Sequence, residues 1–269
     1  MSWTEKIFSK KNKNETPKSE LPSSLQANMT RIPIEIENKE LKTNSDSKNS
    51  SFIDQDDNSL PPIKLLGYSP TTKHRLLTPE MCDEIRSLMP TRIQLYSSWT
   101  LLYSLEQHGA SLTSLYSRIK PGNSDVPART GSRVGYVIII QDRKNGIFGG
   151  YSNEYFHPTD SRRYYGNGEC FLWKLEKTNN IFMFDNKEGR TQHECIKFQG
   201  YPYTGLNEFS IYCTSNFLSM GAGDGHYGLW VDQSLLNGVT DPCLTFGNDI
   251  LSKEGTKFQI VSLEVWRVG

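Results

Sequence analysis

The chain has 269 residues, in which thirty Lys and Arg balance thirty Asp and Glu for a formal net charge of zero. Balanced charge without a long basic tract excludes the electrostatic footprint of a general nucleic-acid binder, and no apolar run reaches the roughly 18 residues of a membrane-spanning helix. Five cysteines, Cys82, Cys170, Cys195, Cys213 and Cys243, lie far apart with no C-x-x-C pair; the odd count and the missing apolar leader point to a reduced intracellular compartment.

In chain order, residues 1–64 are expected to be a disordered leader. Asn, Ser, Lys, Asp and Glu dominate it, and so few apolar residues cannot offset the entropy of ordering. Within it, Trp3, Ile7 and Phe8 would share one helix face, and Arg31-Ile-Pro-Ile-Glu-Ile-Glu37 alternates like a strand. A mitochondrial presequence is disfavoured, since no arginine precedes Arg31 and Glu5 is acidic. Residues 65–269 are expected to form the folded domain.

That domain opens with Thr78-Pro79-Glu80, a hydroxyl cap, a proline where the amide is unpaired anyway, and an acid near the positive helix end. The spacing predicts a helix whose buried stripe is Met81, Ile85, Leu88 and Met89, stopped by Pro90. A strand is expected over 99–105. A second helix follows Ser111, burying Leu112, Leu115, Tyr116 and Ile119 before the Pro121-Gly122 stop. Segments 133–141 and 147–151 flank Asn145-Gly146, a strong hairpin signal. Further strands are expected over 170–175, 181–184, 195–198, 208–213, 228–231, 243–246 and 258–266, with a chain break at Asn237-Gly238. The pattern predicts a mainly β fold with flanking helices (α+β), an antiparallel sandwich or barrel.

Four motifs invite chemistry. Gly223-Asp224-Gly225-His226-Tyr227-Gly228 spells G-x-G-x-x-G, but a dinucleotide site needs a helix next, and Leu229-Trp230-Val231-Asp232 reads as a strand. The glycines are therefore expected to serve the backbone, leaving Asp224 and His226 displayed on a bare loop. His193-Glu194 begins H-E-x-x-H, but Lys197 replaces the second ligand, so no zinc site is expected. Gly168-Glu169-Cys170 suggests a reactive thiol, yet a neighbouring carboxylate raises a thiol pKa, and a buried core cysteine is the simpler reading. No G-x-S-x-G nucleophile elbow occurs.

The ordered motifs carry a resemblance. Trp99-Thr-Leu-Leu-Tyr-Ser-Leu105 with His108-Gly109, Phe148-Gly149, Tyr165-Gly166 with Gly168-Glu169, Tyr203-Thr-Gly-Leu-Asn207, Gly228-Leu-Trp-Val-Asp232, Cys243-x-Thr245-Phe246-x-Asn248 and Leu263-Glu-Val-Trp266 together resemble the TLDc domain. The resemblance spans the chain from about Leu65 onward. It implies a two-sheet antiparallel β-sandwich with flanking helices, protection against oxidative damage, and binding to the cytosolic sector of the vacuolar-type proton ATPase, whose assembly such proteins regulate. It carries over no catalytic, cofactor-binding or metal-ligating residue, and no cofactor is expected. Asp224, His226, Glu169, His108 and Asn207 are the candidate partner-contact positions. A cytoplasmic location, peripheral at the vacuole through the partner, is expected. The alternatives are a thiol-dependent antioxidant enzyme centred on Cys170 and a stress-signalling scaffold without pump contact.

Overall fold

The computed structural model describes residues 60–122, 134–159, 163–180 and 193–269, with backbone alone for 177–180 and 193–196. The Trp3 face, the alternating Arg31 segment and the strand expected over 181–184 lie outside the described residues.

The described chain runs β1 (Lys64–Leu66), α1 (Pro79–Ser87), α2 (Thr91–Gln94), β2 (Ser98–Ser104), α3 (Leu105–His108) and α4 (Leu112–Ile119). Next come β3 (Gly135–Asp142), β4 (Ile147–Ser152), β5 (Phe171–Asn180), β6 (His193–Pro202) and β7 (Ile211–Cys213). It ends with β8 (Phe217–Gly223), β9 (His226–Asp232), β10 (Asn237–Val239) and β11 (Lys257–Val268). The helix starts follow local chemistry. Thr78 Oγ1 accepts from Met81 N at 3.4 Å and Ser111 Oγ from Ser114 N at 3.3 Å, so each cap satisfies an orphan amide.

Two sheets form a β-sandwich. The first runs β1-β2-β11-β3-β4-β5-β6 and the second β11-β10-β9-β8-β7, with β11 common to both. All pairings are antiparallel except β1 with β2. The first sheet's central strands are buried on both faces, which is why β3 reads as an almost unbroken apolar run. Tyr136, Ile138 and Ile140 share one core with Leu172, Leu263, Val265 and the second sheet's Leu218, Met220, Leu229 and Val231. Val137 and Ile139 pack with Trp99, Trp173 and Trp266 against Ile85 of α1 and Ile93 of α2. Both layers need close approach at β4. A Cβ at Gly149 would stand 1.9 Å from the Ile138 carbonyl oxygen, and one at Gly150 would stand 2.5 Å from Met220 Sδ.

The structure departs from the sequence expectations in several places. Leu88, assigned to the buried stripe, is 38% exposed because α1 ends at Ser87 and leaves it at the C-cap. Cys82 and Arg86 are buried instead, Arg86 donating to the Pro61 carbonyl at 2.8 Å and to Asp83 at 2.6 Å. The short helices α2 and α3 have too few residues to show a period. Asn237-Gly238, expected to break the chain, is β10, since β9 and β11 supply ladder partners on both sides. The Asn145-Gly146 hairpin forms as expected, with residues 143–146 as its connection. It is tied by Asp142, whose carboxylate accepts from Gly146 N, Lys144 N, Ser252 Oγ and Lys253 N.

A strap, residues 67–77, is fastened over the outer core by Glu264, which has no solvent exposure. Its carboxylate accepts from Tyr68 Oη at 2.9 Å, Trp266 Nε1 at 2.9 Å and Leu76 N at 3.3 Å. Burial pushes this carboxyl above the ordinary glutamate range, more than the donors Trp266, Tyr68 and Leu76 pull it down. A folded pKa above the unfolded one means a stabilising contribution that is complete below the unfolded value and lost as pH rises through the folded value. The stability advantage of wild type over Glu264→Gln is therefore expected to be greatest near pH ~4 and to shrink as pH rises past the ordinary glutamate range. Urea midpoints across pH measure this; a pH-independent difference would contradict the assignment.

Candidate functional site

The glycine stretch is a β-hairpin. Gly223 pairs with His226, and the two residues between them, Asp224 (φ 52°) and Gly225 (φ 82°), are both left-handed. That is the geometry of a two-residue primed turn, whose twist matches the strands it joins. β9 follows where a phosphate-binding fold would place a helix. The remaining glycines also serve the backbone. Gly221 has φ 72°, and a Cβ there would meet Phe246 at 2.6 Å and Cys243 Sγ at 2.7 Å. Gly228 has Leu172 2.7 Å from its missing Cβ.

At the hairpin tip Asp224 and His226 are exposed, and His226 Nδ1 lies 3.7 Å from Asp241 Oδ2, too far for a hydrogen bond. Below the tip a polar network joins three loops. Thr245 Oγ1 accepts from Ala222 N at 3.0 Å and lies 2.8 Å from both the Ala222 carbonyl and Asn207 Oδ1, one of which takes its single proton. Asn207 Nδ2 donates to the Ala222 carbonyl at 3.1 Å, and Tyr203 Oη donates to the Asn207 carbonyl at 2.7 Å. Thr204 N donates to the Thr245 carbonyl at 2.9 Å, and Thr204 Oγ1 to the Leu244 carbonyl at 2.7 Å. The strand expected over 243–246 is for this reason a turn: its carbonyls face the Tyr203–Asn207 loop rather than a ladder partner. Leu206 and Leu244 stand exposed on the same loops.

Glu169 sits on the adjoining loop. Asn167 Oδ1 caps Glu169 N at 2.9 Å, Asn153 Oδ1 accepts from Asn167 N at 3.1 Å, and a Cβ at Gly168 would touch the Tyr203 ring at 3.1 Å. The Glu169 carboxylate pairs with Arg92 of α2 at 2.5 Å. Nothing local to either residue signals that pairing, and the sequence reading missed it. Contiguous contacts thus bring Glu169, Asn207, Asp224 and His226 onto one loop surface. His108 is elsewhere. At the end of α3 its Nδ1 accepts from Ser104 N at 3.0 Å and its ring tilts against Tyr103. Burial, reinforced by Arg118, holds its pKa below the usual imidazole value.

The described cysteines are core thiols. Cys82, Cys170, Cys213 and Cys243 are buried. Burial pushes all four thiols up, Cys213 to about 11, while Cys170 donates to Asn153 Oδ1 at 3.2 Å. A thiol raised in this way is a poor nucleophile at neutral pH. Among the described residues no group of three His, Cys, Asp or Glu could hold a metal ion.

The hairpin geometry separates two costs of adding a methyl group. Gly225→Ala meets no atom within 4 Å, so only left-handed strain of roughly 1–2 kcal/mol is expected. Gly221→Ala adds collisions with Phe246 and Cys243 and is expected to lose at least about 1 kcal/mol more. Denaturant unfolding of the two variants measures the difference; equal losses would refute the crowding at Gly221.

Comparison with known proteins agrees with this architecture. The TLDc domain family model matches residues 70–269. The chain is 65% identical over 215 residues to oxidation resistance protein 1 of Kluyveromyces lactis, covering 80% of this chain and 84% of that protein. It is 62% identical over 224 residues to the Saccharomyces cerevisiae protein of the same name, covering 80% of each chain. For the Yarrowia lipolytica protein the figures are 47% over 210 residues, 78% of this chain and 81% of the relative. With the family model spanning most of the chain and relatives this close, the protein belongs to the TLDc-domain oxidation resistance family.

Proposed function

We propose that this protein protects cells from oxidative damage as a non-catalytic binding module, and that its partner is the cytosolic sector of the vacuolar-type proton ATPase. The observation that carries the reading is membership of the TLDc family over residues 70–269, together with the name shared by the yeast relatives. The site geometry supports a binding role. The Asn207 loop and the Asp224–His226 hairpin are cross-linked through Ala222 and Thr245 by buried and half-buried hydrogen bonds, and a rigid loop surface loses little entropy on docking. The burial of the four described thiols, Cys82, Cys170, Cys213 and Cys243, supports the same view, since reactive cysteines are found exposed and with lowered pKa. The protein would act in the cytosol, at the vacuolar surface when bound. A binder that prefers the detached sector drives disassembly by its differential affinity, and one that prefers the intact pump does the reverse.

The test is co-sedimentation of the full chain with purified cytosolic sector. Association is expected at micromolar concentration, and none at about 10 µM, a free energy near −7 kcal/mol, would overturn the partner assignment. In parallel, cells carrying a folded variant with all five cysteines replaced are expected to keep their peroxide resistance. Loss of resistance in that variant would favour thiol chemistry instead.

A further inference from the structure

The two sheets differ in what covers their outer faces. The first sheet carries α1 and α2. On the second sheet, Tyr164, Phe209, Tyr212, Phe217, Tyr227 and Trp230 form a connected row of rings. Centroid separations are 4.7 Å for Tyr164–Phe209, 5.2 Å for Tyr164–Tyr212, 5.6 Å for Tyr212–Phe217, 6.2 Å for Phe217–Tyr227 and 5.9 Å for Phe217–Trp230. Phe209 is 41% exposed and the other five are half-buried. Among the described residues no helix or strand covers the row, so it is the surface of the second sheet that the fold leaves unpartnered.

The stretch that supplies five of the six rings carries charges of one sign. Residues 198–252, which contain β7 to β10, include no Lys or Arg, but hold Glu208, Asp224, Asp232, Asp241 and Asp249. Asp249 is neutralised by Lys174 at 3.0 Å, and Asp241 faces His226 at 3.7 Å. The others lack a cation partner among the described contacts. Glu208 adjoins Phe209, Asp224 turns the β8–β9 hairpin, and Asp232 is the cross-strand neighbour of Phe217. Asp232 is held by uncharged donors alone, Ser234 Oγ and Asn237 Nδ2, both at 2.8 Å. Cations border the 198–252 stretch rather than lie within it: Lys197 and Lys253 flank it in sequence, and Arg162 and Arg163 precede Tyr164. Strand addition is not the mode of contact, because the β7 edge is already engaged by the Tyr165–Ile211 bridge and by Thr159 N donating to the Cys213 carbonyl at 3.0 Å.

We propose that this aromatic face is a second interaction surface, and that its occupant is a protein segment bearing arginine or lysine. Aromatic rings at such a face bury large area at low entropic cost and accept cations over their π-surfaces, with indole the strongest acceptor. The acidic fringe attracts positive partners and repels nucleic acid and anionic membranes. The assignment holds whether or not the pump sector carries that segment.

The experiment is NMR titration of the isotopically labelled full chain with a synthetic peptide alternating arginine and leucine, and with its glutamate–leucine counterpart. The arginine peptide is expected to move the Trp230 indole and Tyr227 resonances saturably, and to lose affinity as salt is raised from about 0.05 to 0.3 M. Trp230→Ala and Glu208→Lys are each expected to weaken it roughly tenfold. Should Trp230→Ala not fold, the exposed Glu208→Lys carries the test by itself. Unmoved aromatic resonances, equal response to both peptides, or full affinity in Glu208→Lys would overturn the proposal. So would shifts that track protein concentration without peptide, which would make the occupant a second copy of this chain.

Discussion

β11 has to belong to two sheets at once. Residues 257–259 pair with β10 in the second sheet, while the rest of the strand pairs with β3, and from Glu264 with β2 on its other edge. Packed sheets are rotated relative to each other, so one regular ladder cannot serve both, and a strand that changes sheets needs bulges to turn the corner. β11 has them: its register shifts between Ile260 and Ser262 against β3, and between Val265 and Trp266 against β2. The remainder of the architecture hangs on that strand. Leu263 and Val265 face the inter-sheet core, whereas Trp266 and Val268 face the helical layer. A single alternating strand thus links both cores, and through Glu264 it also holds the strap that closes the outer one.

The loop end of the sandwich solves a different problem. Loops crossing the end of two sheets carry backbone polar groups that no ladder pairs, and burying them unpaired would cost free energy. Here the threonine and asparagine side chains take the place of a ladder. Thr245 and Asn207 satisfy Ala222 at the end of β8, Thr204 satisfies Leu244, and Asn248 Nδ2 donates to the Asp241 and Asp249 carbonyls at 2.9 Å. Motif positions that look from their chemistry like a functional site therefore act first as fasteners. They hold in place the loops on which Leu206, Leu244, Asp224 and His226 stand exposed.

The asymmetry of the two outer faces follows from chain order. The helices α1 and α2 precede β2 and lie on the first sheet, whereas β7 to β10 follow one another through short turns with no helix between them. A sheet built as a meander carries no covering layer of its own. Tyr212, Phe217, Tyr227 and Trp230 pack against one another across that surface, which lowers their exposure without hiding them.

Much of this was legible in the sequence wherever the cause is local. A cap and its helix lie within three residues of each other, so Thr78 and Ser111 announced α1 and α4, and the buried face of α4 was read correctly. The primed turn at Asp224-Gly225 needs only two residues able to hold positive φ. The ordered motifs were also sufficient to identify the family. Tertiary structure decided everything that depends on residues distant in the chain. It made Asn237-Gly238 a strand by placing β11 beside it, and made the segment from Cys243 to Phe246 a turn by placing Thr204 opposite its carbonyls. It set Arg92 against Glu169 across 77 positions, and separated His108 from the other candidate residues. It also gathered aromatic residues from two loops and three strands onto one uncovered face. Local stereochemistry is written in neighbouring residues, whereas pairing, register and burial are set by contacts between segments that become neighbours only when the chain has folded.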